Sequence, residues 1–167
     1  MSVKQHHKNA ASGLRVAIIT VSDTRDLASD KSGQLIEKSL TDAGQTVTAR
    51  TVVPDESPLI AADLRRHLGD ESVDAVILNG GTGIARRDGT VEVVRSCLDV
   101  ELPGFGEIFR QLSYEEIGAA AMLSRAVAGA ANGTAVFSLP GSTNAVRLAL
   151  EKLILPELGH LVSELRK

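Results

Sequence analysis

The strongest constraint on this chain is a change of hydrophobic period that repeats along its first half. Leu14–Val21 reads LRVAIITV, an apolar, β-branched run of the kind found in strands covered on both faces. A helical pattern follows from about Lys31 to Ala43, with Leu35, Ile36 and Leu40 on one side and Gly44 where a helix C′ residue belongs. Thr46–Val53 is again β-rich. Ser57-Pro58 reads as N-cap and first helical position of a helix to about Leu68, closed by Gly69. Val73–Leu78 is a third strand. A β-α-β-α-β order requires right-handed crossovers and a parallel sheet with helices on both faces.

The second half is less regular. Thr90 reads as the cap of a short helix through about Leu98, and Pro103-Gly104 breaks the chain before an amphipathic piece carrying Phe105, Ile108, Phe109 and Leu112. Ser113 with Glu116 has the form of a capping box. Ala126–Ala130 and Thr134–Leu139 flank Asn132-Gly133, a hairpin signal. Ser142–Leu155 and Pro156–Leu165 read as helices. The expectation is a three-layer α/β fold: a mostly parallel sheet with an antiparallel hairpin added. The boundaries are a flexible tail over 1–13 and one domain over 14–167.

Composition narrows the chemistry. The net charge of −3 supplies no basic field for a nucleic-acid backbone, and one Tyr, three Phe and no Trp supply almost no stacking platform. Nucleic acid is not an expected partner. No apolar run approaches the roughly 18 residues of a membrane span, and the polar start has no signal-peptide core. Cys97, the sole cysteine, cannot close an intrachain disulfide and suits a reducing compartment, so the cytoplasm is expected. Cys97 lies at an apolar helical position and reads as core. His6 and His7 read as a solvated tail, with a metal pair as the alternative. His67 and His160 lack partners at metal-ligand spacing.

In open α/β sheets ligands bind outside the carboxyl ends of the strands. The loops there are Ser22–Asp30, Asn79–Gly89 and Pro140–Thr143. The middle one opens Gly80-Gly81-Thr82-Gly83 and continues Arg86-Arg87-Asp88. Glycines let backbone N–H groups close on an anion, and a helix starting near Thr90 adds a favourable dipole. The loop is not a P-loop, because the chain has no Gly-Lys pair, and the first strand-to-helix loop has no glycine for a dinucleotide fingerprint. Asp23, Asp55 and Asp88 each follow one of the first three strands. Such carboxylates fit a Mg²⁺ ion completed by substrate phosphates, or are solvated loop residues. Arg86 and Arg87 fit phosphate oxygens, or are a solvated pair. Pro140-Gly141-Ser142 forms a second tight turn into a helix start, either an anion site or a cap.

Taken together and in order, several motifs make the chain resemble the MoaB/MogA family of molybdenum-cofactor biosynthesis proteins. They are Thr20-Val21-Ser22-Asp23, Pro54-Asp55-Glu56, the Gly80–Gly83 turn with Arg86-Arg87-Asp88, Pro103-Gly104-Phe105-Gly106-Glu107, Leu123-Ser124-Arg125-Ala126 and Leu139-Pro140-Gly141-Ser142. The resemblance spans about Leu14 to Leu158, and Phe105–Gly129 looks closest to the MoaB branch. It implies the molybdopterin-binding fold, a homotrimer or homohexamer, and contact with other proteins of the pathway. It also implies adenylyl transfer, with molybdopterin as substrate, ATP as co-substrate and Mg²⁺ as cofactor. On that pattern Asp55 and Asp88 are the catalytic, Mg²⁺-holding aspartates. Ser22, Asp23, Gly80–Gly83, Arg86, Arg87, Glu107, Ser124, Arg125, Pro140, Gly141 and Ser142 line the ligand site. A non-catalytic molybdopterin carrier is the alternative role. The chain departs from the family pattern at Gly89-Thr90-Val91, where Val-Thr-Pro is common, and at Ser142-Thr143, where Ser-Pro is common.

Overall fold

The computed structural model describes residues 11–167, so His6, His7 and most of the expected tail lie outside it. Of that tail, Ala11 is tied down: its N–H meets the Gly159 carbonyl at 3.1 Å and Ser163 Oγ at 3.0 Å.

Six strands form one sheet. They are β1 (Arg15–Val21), β2 (Thr46–Val53), β3 (Ala75–Asn79), β4 (Val100–Glu101), β5 (Val127–Ala131) and β6 (Thr134–Leu139). Their order is β2-β1-β3-β6-β5-β4. β1, β2, β3 and β6 run parallel, while β5 pairs antiparallel with β6 on one side and with the edge strand β4 on the other. The helices are α1 (Lys31–Asp42), α2 (Ser57–Leu68), α3 (Thr90–Cys97), α4 (Pro103–Ile117), α5 (Thr143–Ala149) and α6 (Leu155–Leu165).

Alternation along β1 explains the three layers. Val16 and Ile18 face a core shared with Ile36 and Leu40 of α1, Phe109 of α4, and α5 and α6. Ala17, Ile19 and Val21 face the other way, onto Ile60 and Leu64 of α2 and Val91 and Val94 of α3. Both faces are covered, so every position of β3, β5 and β6 is buried, whereas edge strand β2 is only half-buried.

The hairpin signal was sound. Asn132 and Gly133 have φ of 50° and 75°, the two positive values a type I′ turn needs. Four local expectations were not met. Ser113 is buried within α4, so the capping box does not form; the helix runs through it to Ile117 and ends in a 3₁₀ turn over Gly118–Leu123. Packing of that helix on the sheet outweighed a local cap. Ser57 is already helical and Glu56 holds the cap position without a side-chain bond. Thr90 likewise opens α3 as a helical residue behind Gly89 and makes no cap bond. Helices α5 and α6 are joined by a π-helical turn over Leu150–Ile154. Pro156 has no N–H to give and its ring would strike the carbonyl one turn back, so the wider turn lets the helix pass.

Candidate functional site

The strand order sets the position of the site. α1 carries the chain from β1 to one side, and α2 returns it to the other side of β1, on the opposite face of the sheet. A crevice opens at such a reversal, between the carboxyl ends of β1 and β3. Gly80 sits at that point with φ of 96°. A Cβ there would lie 2.2 Å from the Val21 carbonyl oxygen, so only glycine allows β3 to turn against β1. Gly81 follows at φ 62°, and the Cβ it lacks would meet Thr90 Oγ1 at 2.2 Å and Asp55 Oδ2 at 3.0 Å. At Gly83 the missing Cβ would lie 2.4 Å from Asp88 Oδ2. The Gly141 backbone packs against Gly80, which joins the Pro140–Ser142 turn to the same crevice. The glycines therefore exist because carboxylates, a hydroxyl and backbone crowd the turn.

The three aspartates from three loops converge, but they do different things. Asp23 Oδ1 accepts the Asp55 N–H at 3.0 Å, and Asp23 pairs with Arg87 at 3.2 Å. Asp88 Oδ2 accepts the Ala85 N–H at 2.8 Å, which closes the arginine-bearing loop on itself rather than capping α3. Asp55 keeps Oδ1 buried with no hydrogen-bond partner. Burial pushes its carboxyl pKa up, the charge of Asp88 adds to this, and Asp23 adds further. The Gly89 N–H and Arg87 pull the other way. A buried carboxylate oxygen left without a partner is available to a cation.

Arg125, two residues before β5, is the strut of the loop. Its Nε donates to the Thr82 carbonyl at 2.9 Å, and Nη2 donates to the carbonyls of Gly83 at 2.5 Å and Asp88 at 3.0 Å. Nη1 meets Glu92 Oε1 at 2.5 Å. With those carbonyls turned toward Arg125, the loop is pinned along its back. Arg86 is exposed, with no ion pair among the described residues, whereas Arg87 is committed to Asp23. Ser22 Oγ accepts the N–H groups of Thr24 and Arg25, and Ser142 Oγ accepts the Ala145 N–H as the α5 cap. Thr82 is buried in the turn. Glu107 stands exposed on α4, and no described hydrogen bond joins it to the glycine loop. Ser124 meets Arg110 through its carbonyl, at 3.4 Å.

Two features escaped the sequence. Thr90 is fully buried and its Oγ1 has no partner, a state that costs about 1–3 kcal/mol unless a ligand changes it. Beneath the crevice, Asn79 Nδ2 donates to Thr20 Oγ1 at 2.9 Å, and Thr20 donates to Asp30 Oδ2 at 2.7 Å. Asp30 Oδ1 in turn caps α1 through the Gly33 N–H, and Arg50 balances its charge. This chain ties the ends of β1 and β3 to the start of α1. Only an N-cap signal at Asp30 was available to find it.

Among the described residues no three His, Cys, Asp or Glu side chains group as a metal site. A Mg²⁺ ion held by one or two carboxylates and completed by phosphates and water needs no such group. The orphaned Asp55 oxygen beside Asp88 fits that mode. No described helix is long and apolar enough to cross a membrane.

Known proteins share this sequence and this fold. The family model described as "Probable molybdopterin binding domain" matches residues 17–160. Molybdenum cofactor biosynthesis protein B of Halalkalibacterium halodurans is 54% identical over 168 residues, covering 100% of this chain and 99% of that one. A crystal structure of a molybdenum cofactor biosynthesis protein B superposes with a TM-score of 0.91 at 51% identity, covering 94% of this chain and 98% of that one. The tungsten cofactor synthesizing protein MoaB from Pyrococcus furiosus superposes with a TM-score of 0.86 at 40% identity, covering 95% and 100%.

Proposed function

This chain belongs to the molybdopterin-binding domain family, among the molybdenum cofactor biosynthesis B proteins, and on that premise we propose that it adenylylates molybdopterin. The observation that carries the proposal is Asp55: a carboxylate with a buried, unpartnered oxygen, beside Asp88, at the mouth of a glycine turn whose carbonyls are pinned by Arg125.

The terminal phosphate of molybdopterin attacks the α-phosphorus of ATP. A P–O bond to the substrate forms, the P–O bond to the β-phosphate breaks, and pyrophosphate leaves. Asp55 and Asp88 would hold Mg²⁺, which when bound neutralises charge on the phosphate oxygens. The Gly80 N–H is held by the Leu139 carbonyl, so the N–H groups of Gly81, Thr82 and Gly83 receive equatorial oxygens, and Arg86 faces the remaining negative charge. Arg125 keeps the nest rigid, so no reorganisation accompanies the reaction. Positioning and electrostatics thereby do the work, as in other phosphoryl-type transfers. The active form is a homotrimer or homohexamer in the cytoplasm. The exposed Ile108, Tyr114, Ile117 and Met122 on α4 and the 3₁₀ turn support association through that face. Light scattering that finds only monomer at micromolar concentration removes the oligomer.

Incubation with molybdopterin, ATP and Mg²⁺ followed by mass spectrometry tests the reaction. Adenylylated molybdopterin supports the enzyme. Tight molybdopterin binding without product makes the protein a carrier, and binding of neither overturns both.

A further inference from the structure

We propose that Thr90 is a positioning residue of this site: its hydroxyl, unpartnered in the free protein, donates to the Asp55 carboxylate when a divalent cation is bound. The proposal rests on the Mg²⁺ role given to Asp55 above and goes beyond it by naming the group that aims that carboxylate.

Thr90 has 0% exposure, and its backbone is already engaged, since its N–H donates to the Gly81 carbonyl at 3.1 Å. That bond joins α3 to the glycine turn and fixes where the side chain can reach. The hydroxyl caps nothing and has no partner. Asp55 Oδ1 is likewise buried and unpartnered. A donor and an acceptor thus sit orphaned in one small region. Both side chains crowd the point that a Gly81 Cβ would fill, Thr90 Oγ1 at 2.2 Å and Asp55 Oδ2 at 3.0 Å.

Buried polar groups are nearly always bonded, so an unsatisfied atom on each of two side chains that crowd the same glycine calls for an explanation. Threonine in a helix has two accessible χ1 rotamers, so one side-chain turn can carry the hydroxyl toward the carboxylate without moving α3. A cation taken up by one Asp55 oxygen fixes the carboxylate in place, and a donor for its other oxygen then becomes worth having. The hydroxyl takes one carboxylate oxygen and leaves the other for the cation, as outer partners do around metal-ligating carboxylates. Gly81 is required on this view because any side chain would occupy the space in which the two groups meet.

The test uses the full chain and Mn²⁺ as the probe, alone and with a non-hydrolysable ATP analogue, read by electron paramagnetic resonance. Thr90→Val keeps the shape and deletes the donor. It should weaken Mn²⁺ binding about 10- to 100-fold, as loss of an outer partner does, while the ligand-free Tm stays level or rises. Thr90→Ser should restore the parent affinity. A structural hydroxyl predicts the reverse, a lower Tm with unchanged affinity, and that result overturns the proposal. So does Thr90→Val binding Mn²⁺ as the parent does. If Thr90→Val fails to fold, Thr90→Ala against Thr90→Ser makes the same comparison. A parent that binds no Mn²⁺ under either condition removes the Mg²⁺ role of Asp55 and this proposal with it. Parent binding that survives loss of the hydroxyl removes this proposal alone.

Discussion

Replacing Arg125 by lysine separates the charge at the back of the loop from its shape. The guanidinium makes three carbonyl bonds, to Thr82, Gly83 and Asp88, and adds an ion pair with Glu92. These carbonyls span the turn from Thr82 to Asp88, and a planar fork can serve them together. A lysine ammonium is a compact charge on a flexible stem and reaches one of them well. Two carbonyl bonds are then lost, each worth about 1 kcal/mol net and more with a charged donor. The side chain is 28% exposed, so water replaces part of the loss, and Glu92 is too exposed for its pair to count for much. The expected destabilisation is about 2 kcal/mol, or roughly 4–8 °C in Tm for a domain of this size. Urea unfolding at fixed protein concentration measures the first quantity. Hydrogen exchange measures the local effect: the Ala85 N–H, held by Asp88 Oδ2, should exchange faster while β1 and β3 amides do not change. A variant within about 0.5 kcal/mol of the parent, with unchanged exchange over 83–88, would refute the strut, since that is the scatter of ordinary surface substitutions.

Asp88→Asn should fold, because an amide oxygen still accepts the Ala85 N–H, yet lose about 10²–10³ in adenylylation rate; a folded variant with half the parent rate would sink the mechanism. Asp55→Asn should need more Mg²⁺ for activity while molybdopterin binding holds, read by a magnesium titration. The pH dependence follows from the raised Asp55 pKa. Protonation is favoured in the folded protein, so this group's contribution to stability is present at low pH and lost as pH rises through its folded value. Cation affinity should accordingly fall as pH drops toward that value, which calorimetry across pH checks. Gly81→Ala should destabilise as well as inactivate, since a Cβ at φ 62° strikes Thr90, Val21 and Asp55 together; a Tm equal to the parent's would contradict the packing.

Much of this protein is decided by its sequence alone. The continuous apolar strands covered on both faces, the helices between them and the Asn132-Gly133 turn follow from local sterics and burial, and they dictate a mostly parallel sheet with the glycine loop at the carboxyl ends of its strands. Asp23, Asp55 and Asp88 could be placed at that end because each follows a strand. The tertiary structure decided what each carboxylate does. Asp23 became a brace and Asp88 a loop closure, while Asp55 was left with an orphaned oxygen, because those outcomes depend on which N–H groups three separate loops bring within 3 Å. Edge strand β4 is two residues long and carries no pattern of its own, and the buried Ser113 shows packing overriding a local cap. Arg125 lies 43 residues from Thr82 in sequence, and no spacing rule connects them. Thr90 read as a cap because caps are a local matter. Its hydroxyl instead ended up beneath Gly81, since the Gly81 carbonyl took its N–H and the fold closed the turn over it.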